Sequence, residues 1–408
     1  MQKWDRLNLA YVGCDVHKQR HSAVVLDCFG DRLGTCEVVN RTAAFPEWLA
    51  AVQALAPGKQ LIFGLENTST WGRPLAGYLL ARDQTVRDVA PIRTARNRKR
   101  QPHPDKSDER DALMIARALM QDLGELPATA HDDLLWTLSL TVNQREGLVR
   151  EQTRVKNRLH ALLPHPYPDY AQFFSEPFLK TALAFWTQYP SPGHLAGVSV
   201  AALGEFLQEQ SHFCLGRKKA VEILALATTA PAQREYQAER DELVRQAVAQ
   251  LVHLQGGIAQ LEAEMGRLVY VVGQQLDTLP GVDVVLAAEL LTGIGDVNRF
   301  ANPDKLSRYA GIAPKEWGSA GKETRTRSEH GRRSLHATFF HVAVAHIQVS
   351  KKGEPRCPAS RAYYEKKLKE GKSKKTALTC LMRVLVRVVW RMLKHKEPYL
   401  KVPQDGAA

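Results

Sequence analysis

Apolar and polar positions along the first third of the chain follow the pattern of short strands with intervening helices. LAYVGCDV and HSAVVLDCF are β-rich runs, and RLGTCEVVN follows after the turn at Gly30 and Asp31. Tight turns between three consecutive strands predict an antiparallel meander. Helical spacing predicts a helix over 43–56, the apolar run at 61–66 a fourth strand, and a further helix is expected near 71–82. A short strand at TVRDVA and a helix over about 106–120 complete this α/β portion.

The remainder reads as mainly helical. From 132 to about 163 apolar residues recur at helical spacing among charges, and Pro164 and Pro166 end the run. Residues 167–229 read as short helices broken by YPSPG and LGRKK. A second long helix is expected over about 231–276. Leu243, Val248, Leu251, Leu254, Ile258, Leu261, Met265 and Leu268 form its apolar stripe, and Gly256 and Gly257 are a point of loosening. Two long amphipathic helices flanking an insert form an antiparallel pair or a dimerising coiled coil; an ordinary helical bundle fits the pattern equally well. LPGVDVVLAAELLTGIG then opens the last portion as a helix behind a Pro-Gly turn, where free backbone N–H groups can hold a phosphate. The chain closes on the lysine-rich KKLKEGKSKK and an amphipathic helix in which Arg383, Arg387 and Arg391 recur every fourth position on one face. The expected division is 1–125, 126–276 and 277–408. Three hairpin strands followed by βαβα is also the order of the ribonuclease-H-like fold.

With 408 residues, two or three domains are expected, and 44% hydrophobic with 24% charged residues excludes wholesale disorder. The formal net charge of +13 changes the picture more, because such an excess points to a polyanionic partner, nucleic acid above all. The six cysteines are scattered, with no zinc spacing, as in a reducing cytoplasm. No basic segment with an apolar run opens the chain, and no apolar stretch of about 18 residues occurs. A soluble, cytoplasmic protein with no membrane contact is therefore expected.

Four acids carry the chemistry. Asp15 closes the first strand in VGCDVHK, Glu66 closes the fourth in FGLEN, and Asp108 and Asp111 share a helix face in KSDERDALMIARAL. Acids at neighbouring strand ends and on a helix beside them converge, and such a cluster repels itself unless divalent cations neutralise it. Hard oxygen ligands suit Mg²⁺ or Mn²⁺, and two such ions favour phosphoryl transfer. Taken singly, each acid serves as well as a cap or a surface charge. Asp105, just after Pro104, is expected to serve structurally, as a helix N-cap or a first-turn charge. Before this helix, Arg93, Arg96, Arg98, Lys99 and Arg100 form a basic loop suited to guiding phosphates. A second motif runs GDVNRFANPDKLSRYAGIAPKEWGSAGKETRTRSEHGRRSLHATFF. Ser319 lies there in a Gly-flanked turn, followed by Lys322, Arg325, Arg327, Arg332 and Arg333, which can hold a phosphodiester. No His–Asp pair is spaced to activate the serine, so the residues alone leave it as a phosphate ligand or a nucleophile.

VGCDVHK, the strand ending in Glu66, KSDERDALMIARAL and RFANPDKLSRYAGIAPKEWGSAGKETR together resemble the IS-one-ten family of insertion-sequence transposases, the DEDD transposases related to the Piv DNA invertase. The resemblance spans nearly the whole chain, including PFLKTALAFWTQYPSP. It implies a RuvC-like (ribonuclease-H-like) N-terminal domain, a helical coiled-coil linker and a mainly helical C-terminal transposase domain. Asp15, Glu66, Asp108 and Asp111 match the family's metal-binding DEDD quartet. Ser319 matches its catalytic serine, five residues after the proline of the GxxP segment at 311–314. The family's serine is often preceded by a second serine and followed by glycine; here Gly318 precedes and Ala320 follows, with the glycine at Gly321. The resemblance further implies donor and target DNA and a non-coding guide RNA as partners. The expected enzyme is a metal-dependent DNA recombinase using a serine–phosphodiester intermediate, working as a dimer or tetramer, because the long helices make reach between Asp111 and Ser319 within one chain awkward. Two other readings compete with it: a RuvC-like structure-selective endonuclease that uses water, and a non-catalytic nucleic-acid-binding protein.

Overall fold

The structure, a computed structural model, describes residues 4–68, 70–91, 93–94, 107–129, 133–228, 235–319, 322–326 and 331–399, with 315–319 and 322–326 described by backbone alone. The chain divides into two compact units, Met1–Trp136 with Ile294–Leu306, and Thr137–Gly293 with Ser307–Ala408.

The first unit is a five-stranded mixed sheet with helices on both faces. Its elements are β1 (Leu9–Val16), β2 (Arg20–Leu26), β3 (Arg32–Val39), α1 (Phe45–Leu55), β4 (Gln60–Leu65), α2 (Arg73–Leu80), β5 (Thr85–Asp88) and α3 (Asp108–Asp122). The strand order is β3-β2-β1-β4-β5. The first three strands form the expected antiparallel meander, and β4 and β5 continue it in parallel. Every residue of β1 is buried, because both of its faces are covered. Its even-numbered positions, with Phe63 and Leu65 of β4, pack on α1 and α2. Leu9 and Tyr11, with Ile62 of β4, pack instead on Ala112, Ile115, Ala116 and Leu119 of α3.

Helix α3 starts two residues later than expected. Ser107 is the N-cap, its Oγ accepting from the Arg110 N–H at 3.3 Å, while Asp105 lies outside the described residues. The helix lies so close to the sheet that a Cβ on Gly13 would stand 2.2 Å from both the Ala112 carbonyl oxygen and the Ala116 nitrogen. Gly13 pairs across the strands with Gly64, whose missing Cβ likewise leaves room for Ile115 and Leu119. Two glycines in register thus let the helix settle onto the strand ends.

In the second unit α4 (Asp133–Leu162) and α9 (Gln237–Val272) run antiparallel within one chain. Arg145 bonds Glu262 at 2.7 Å, Arg158 bonds Gln250 at 3.1 Å, and Leu148 lies against Gly257. Between them in sequence are α5 (Tyr170–Phe173), α6 (Lys180–Gln188), α7 (Val200–Gln210) and α8 (Arg217–Thr228). These enclose an aromatic core of Tyr167, Phe173, Phe185 and Trp186 that also takes in Leu159 of α4 and Val248 and Leu251 of α9. Gly256 and Gly257 do not interrupt α9. Gly256 faces open space and Gly257 accommodates Leu148 at 3.2 Å from where its Cβ would be. The expected stripe is buried at Val248, Leu251, Leu254, Ile258, Met265 and Leu268, but Leu261 is half-buried, Leu243 is 51% exposed and Val244 is buried in its place.

The unit continues with α10 (Val284–Ile294), α11 (Pro303–Tyr309), the hairpin β6 (Lys315–Ser319) and β7 (Lys322–Thr326), α12 (Arg333–Ile347), α13 (Pro358–Lys369) and α14 (Lys374–His395). The last three helices pack on one another. The arginines expected in one exposed row on α14 divide. Arg387 and Arg391 are exposed, while Arg383 is half-buried with its Nε unpartnered. Four residues advance a helix by more than one turn, so a row of every fourth position drifts around the cylinder. Among the described residues no helix is long and apolar enough to cross a membrane.

Candidate active site

The strand register assembles the acids. Asp15 is the penultimate residue of β1, and Glu66 directly follows β4. The parallel pairing of Cys14 with Leu65 puts Asp15 and Glu66 at neighbouring strand ends, each one residue past that pair, and the alternation of β1 turns Asp15 toward the face that carries α3. Helix α3 opens at Asp108, and its first turn holds Asp108, Glu109 and Asp111. Acids there offset the positive end of the helix dipole, so the fold itself favours carboxylates at this point.

Asp15 and Asp111 are each only 9% exposed. Burial raises the Asp15 pKa; His17 opposes that by charge and hydrogen bond, and Asp111 and Asp108 add to it by like charge. The His17 Nε2 stands 3.0 Å from Asp15 and 3.5 Å from Asp108. Asp15, His17 and Asp108 each offer one ligating atom within 4.8 Å of the others. Two hard oxygens and an imidazole nitrogen fit a divalent cation of the Mg²⁺ or Mn²⁺ class, with Mn²⁺ better suited to the nitrogen. Glu66 is oriented by the Thr94 hydroxyl, which is buried and donates to its carboxylate. Asp88, at the end of β5, is pushed upward in pKa by burial and accepts from the Thr68 hydroxyl, with Arg299 of the 294–306 segment as a nearby positive charge.

Sequence reasoning missed His17, Thr94 and the glycine pair. The first and last left a signal: both strand acids stand two residues after a glycine, in Gly13-Cys14-Asp15 and Gly64-Leu65-Glu66, and His17 follows Asp15 at the same spacing. Thr94 left none, because nothing local ties it to Glu66.

The basic residues fare unevenly. Arg93 is held by Asp122 and Glu125 at the far end of α3, so its charge is answered within the unit. Arg96, Arg98, Lys99, Arg100 and Arg327 lie outside the described residues. Ser319 ends β6 and pairs with Lys322, the first residue of β7, while Arg325 pairs with Glu316. The serine therefore sits at a hairpin's strand end. Arg332 bonds the Gly293 carbonyl at 3.3 Å and the Tyr309 hydroxyl at 3.4 Å, and Arg333 opens α12 exposed. Close by, a Cβ on Gly331 would lie 2.5 Å from the Gly311 nitrogen, and Gly331 takes φ 129, which favours glycine.

Two family models match. One, described as a transposase of the IS110 DEDD type, covers residues 12–168; the other, the transposase IS116/IS110/IS902 family, covers 273–365. The insertion element IS900 protein of Mycobacterium paratuberculosis is 26% identical over 98% of this chain and 99% of its own length. The insertion element IS110 protein of Streptomyces coelicolor is 28% identical over 72% of each chain. The pilin gene-inverting protein of Moraxella bovis is 27% identical over 36% of this chain and 47% of its own.

Proposed function

Because the chain belongs to the IS110 family of insertion-sequence transposases and is a DNA recombinase, we propose that it cuts and rejoins DNA through a serine–phosphodiester intermediate at the DEDD cluster. The observation that carries the reading is the convergence of Asp15, His17 and Asp108 within 4.8 Å, with Asp111 close enough to raise the Asp15 pKa. In this reading residues 1–125 form a RuvC-like domain, 126–276 a coiled-coil linker and 277–408 the serine-bearing transposase domain. The β3-β2-β1-β4-β5 order supports the first of these assignments.

Asp15, Glu66, Asp108 and Asp111 would hold Mg²⁺ or Mn²⁺, which when bound supplies positive charge to the phosphate oxygens. The chain's own groups do the rest. His17, between Asp15 and Asp108, would join them as a nitrogen ligand, and Thr94 orients Glu66. The Ser319 Oγ attacks phosphorus, forming an O–P bond as the bond to the leaving strand breaks, with the serine proton passing to solvent and a hydroxyl left on the released strand. Attack by a strand hydroxyl on the same phosphorus returns the serine and seals the DNA without an external energy source. Lys322, Arg325 and Arg327 would offset the charge that develops on the phosphate. A dimer or tetramer would join the acids of one chain to the serine of another, and a non-coding guide RNA would choose the donor and target DNA. The net charge of +13 supports the polyanionic partners.

The test is to trap the adduct. Denatured, protease-treated reactions should carry DNA on the Ser319 peptide, and purified protein should select its target only when the guide RNA is present. Free ends with no adduct under any condition would replace this reading with a water-using, structure-selective nuclease.

A further inference from the structure

Between Glu66 and α2 the chain makes a tight loop. Asn67 takes φ 56, and its carbonyl accepts from the N–H groups of Thr70 at 3.4 Å and Gly72 at 3.3 Å. A Cβ on Gly72 would lie 3.1 Å from that carbonyl oxygen and 3.1 Å from Val16 Cγ2, so glycine lets the loop close on the end of β1. The loop presents Trp71 with 47% of its surface in solvent. The Lys18 ammonium stands over the indole, 5.8 Å from the ring centroid. The Asn40 side-chain amide donates to the Trp71 carbonyl at 3.1 Å and reaches the carbonyls of His17 and Lys18 at 3.4 Å each. One side chain thereby ties the tryptophan to the turn whose His17 touches Asp15 and Asp108.

We propose that Trp71 is a stacking platform for a base of the cleaved DNA strand, with Lys18 paired to the neighbouring phosphate. This rests on the cleavage reading above, because it places the base next to the phosphate that the acids would receive. An acid cluster repels a nucleic-acid backbone, so attraction has to come from its rim, and an aromatic face with a cation supplies it without regard to sequence. The neighbours are Lys18, Asn40 and Asn67 rather than an apolar patch, which suits a nucleotide's flat face and charged edge better than a protein surface. Trp71 touches substrate in this proposal; Asn40 is a positioning residue that acts through it.

The experiment uses the full chain with Ca²⁺ in place of Mg²⁺ and a fluorescein-labelled single-stranded oligothymidylate. W71A should weaken binding by roughly tenfold and W71F should restore most of it. W71A should leave the dependence of affinity on salt unchanged, whereas K18A should reduce that slope by about one. Irradiated oligothymidylate carrying 5-iodouracil should crosslink to the Trp71 peptide. Wild-type affinity in W71A, W71F as weak as W71A, or crosslinks confined to other peptides would each overturn the platform. Dependence on Trp71 for oligouridylate but not for oligothymidylate would overturn its assignment to DNA. Failure here is separable from failure of the cleavage reading. If D15A cannot cut while W71A binds normally, only the platform falls; if D15A and E66A both cut normally, the acid site falls.

Discussion

The acids and the serine are mounted on opposite kinds of backbone. Asp15, Glu66 and Asp108 come from three segments that meet only because β1 and β4 pair in parallel and α3 lies across them. Ser319 stands in a two-stranded hairpin, opposite a residue three positions away in sequence. The acid cluster is a product of distant packing, held where a glycine pair admits a helix to the sheet, and it stores like-charge repulsion that His17 partly offsets. The hairpin is a local structure that basic residues accompany in sequence. Precision therefore resides in the first region, and the second contributes a short element carrying the serine proposed as nucleophile.

The comparison breaks first on activity. Replacing Asp15, Glu66, Asp108, Asp111 or Ser319 by alanine should each lower strand cleavage on the order of 10⁴-fold, because groups that act as one unit fail together. Mixing D108A with S319A chains should then restore part of the activity in a gel-based cleavage assay. If the mixture stays inactive, the acids and the serine do not come from different chains.

The next largest effect falls on folding, and only on the acid side. G13A would drive a methyl into the backbone of α3 at 2.2 Å and should cost about 3 kcal/mol or more, measured by chemical denaturation. G64A meets only side-chain atoms, the nearest at 3.1 Å, and should cost about 1 kcal/mol. Equal costs would mean that the sheet, not the helix backbone, sets the approach.

Metal linkage sharpens the same contrast. Mg²⁺ at about a hundredfold over its Kd should stabilise the wild type by about 2.7 kcal/mol in thermal melts. D108A should abolish that gain and S319A should keep it. A gain that survives D108A would move the metal away from the cluster.

The smallest effect belongs to the second unit and separates its core from the acid site. Burial raises the Glu289 pKa; Thr338 opposes it by a hydrogen bond of 2.9 Å, Glu146 adds to it, and Arg145 and His341 act against it. A carboxyl raised in the folded state is at full stability below its unfolded pKa and loses stability as pH rises through the folded one. E289Q should therefore be more stable than the wild type at neutral pH, by ~1 kcal/mol or less, and the two should converge below about pH 4. A wider gap in acid would reverse the assignment.

Much was legible in the residues because it rests on local periodicity. The meander, the five strands, the two long helices and the short helices of the insert follow from alternation, helical spacing and Pro-Gly breaks. The four acids could be singled out because each marks a strand end or a helix start. Leu243 was misplaced because position 244 lies only 100° further around the helix, and packing alone chose Val244 for the core. Arg93 read as free until Asp122 and Glu125 were brought to it.

By itself, then, the order of apolar and polar residues determined which segments become strands and helices and where the reactive groups stand on them, since those depend on neighbours a few positions apart. Tertiary structure decided which distant groups meet. Parallel pairing put the Asp15 and Glu66 strand ends side by side, and the Gly13–Gly64 pair brought α3 down. Folding also turned His17 between two acids, put Thr94 against Glu66, and left Trp71 facing water. The contacts Gly13–Gly64, His17–Asp108 and Thr94–Glu66 join residues far apart in sequence, and their geometry exists only once the sheet and helix have packed.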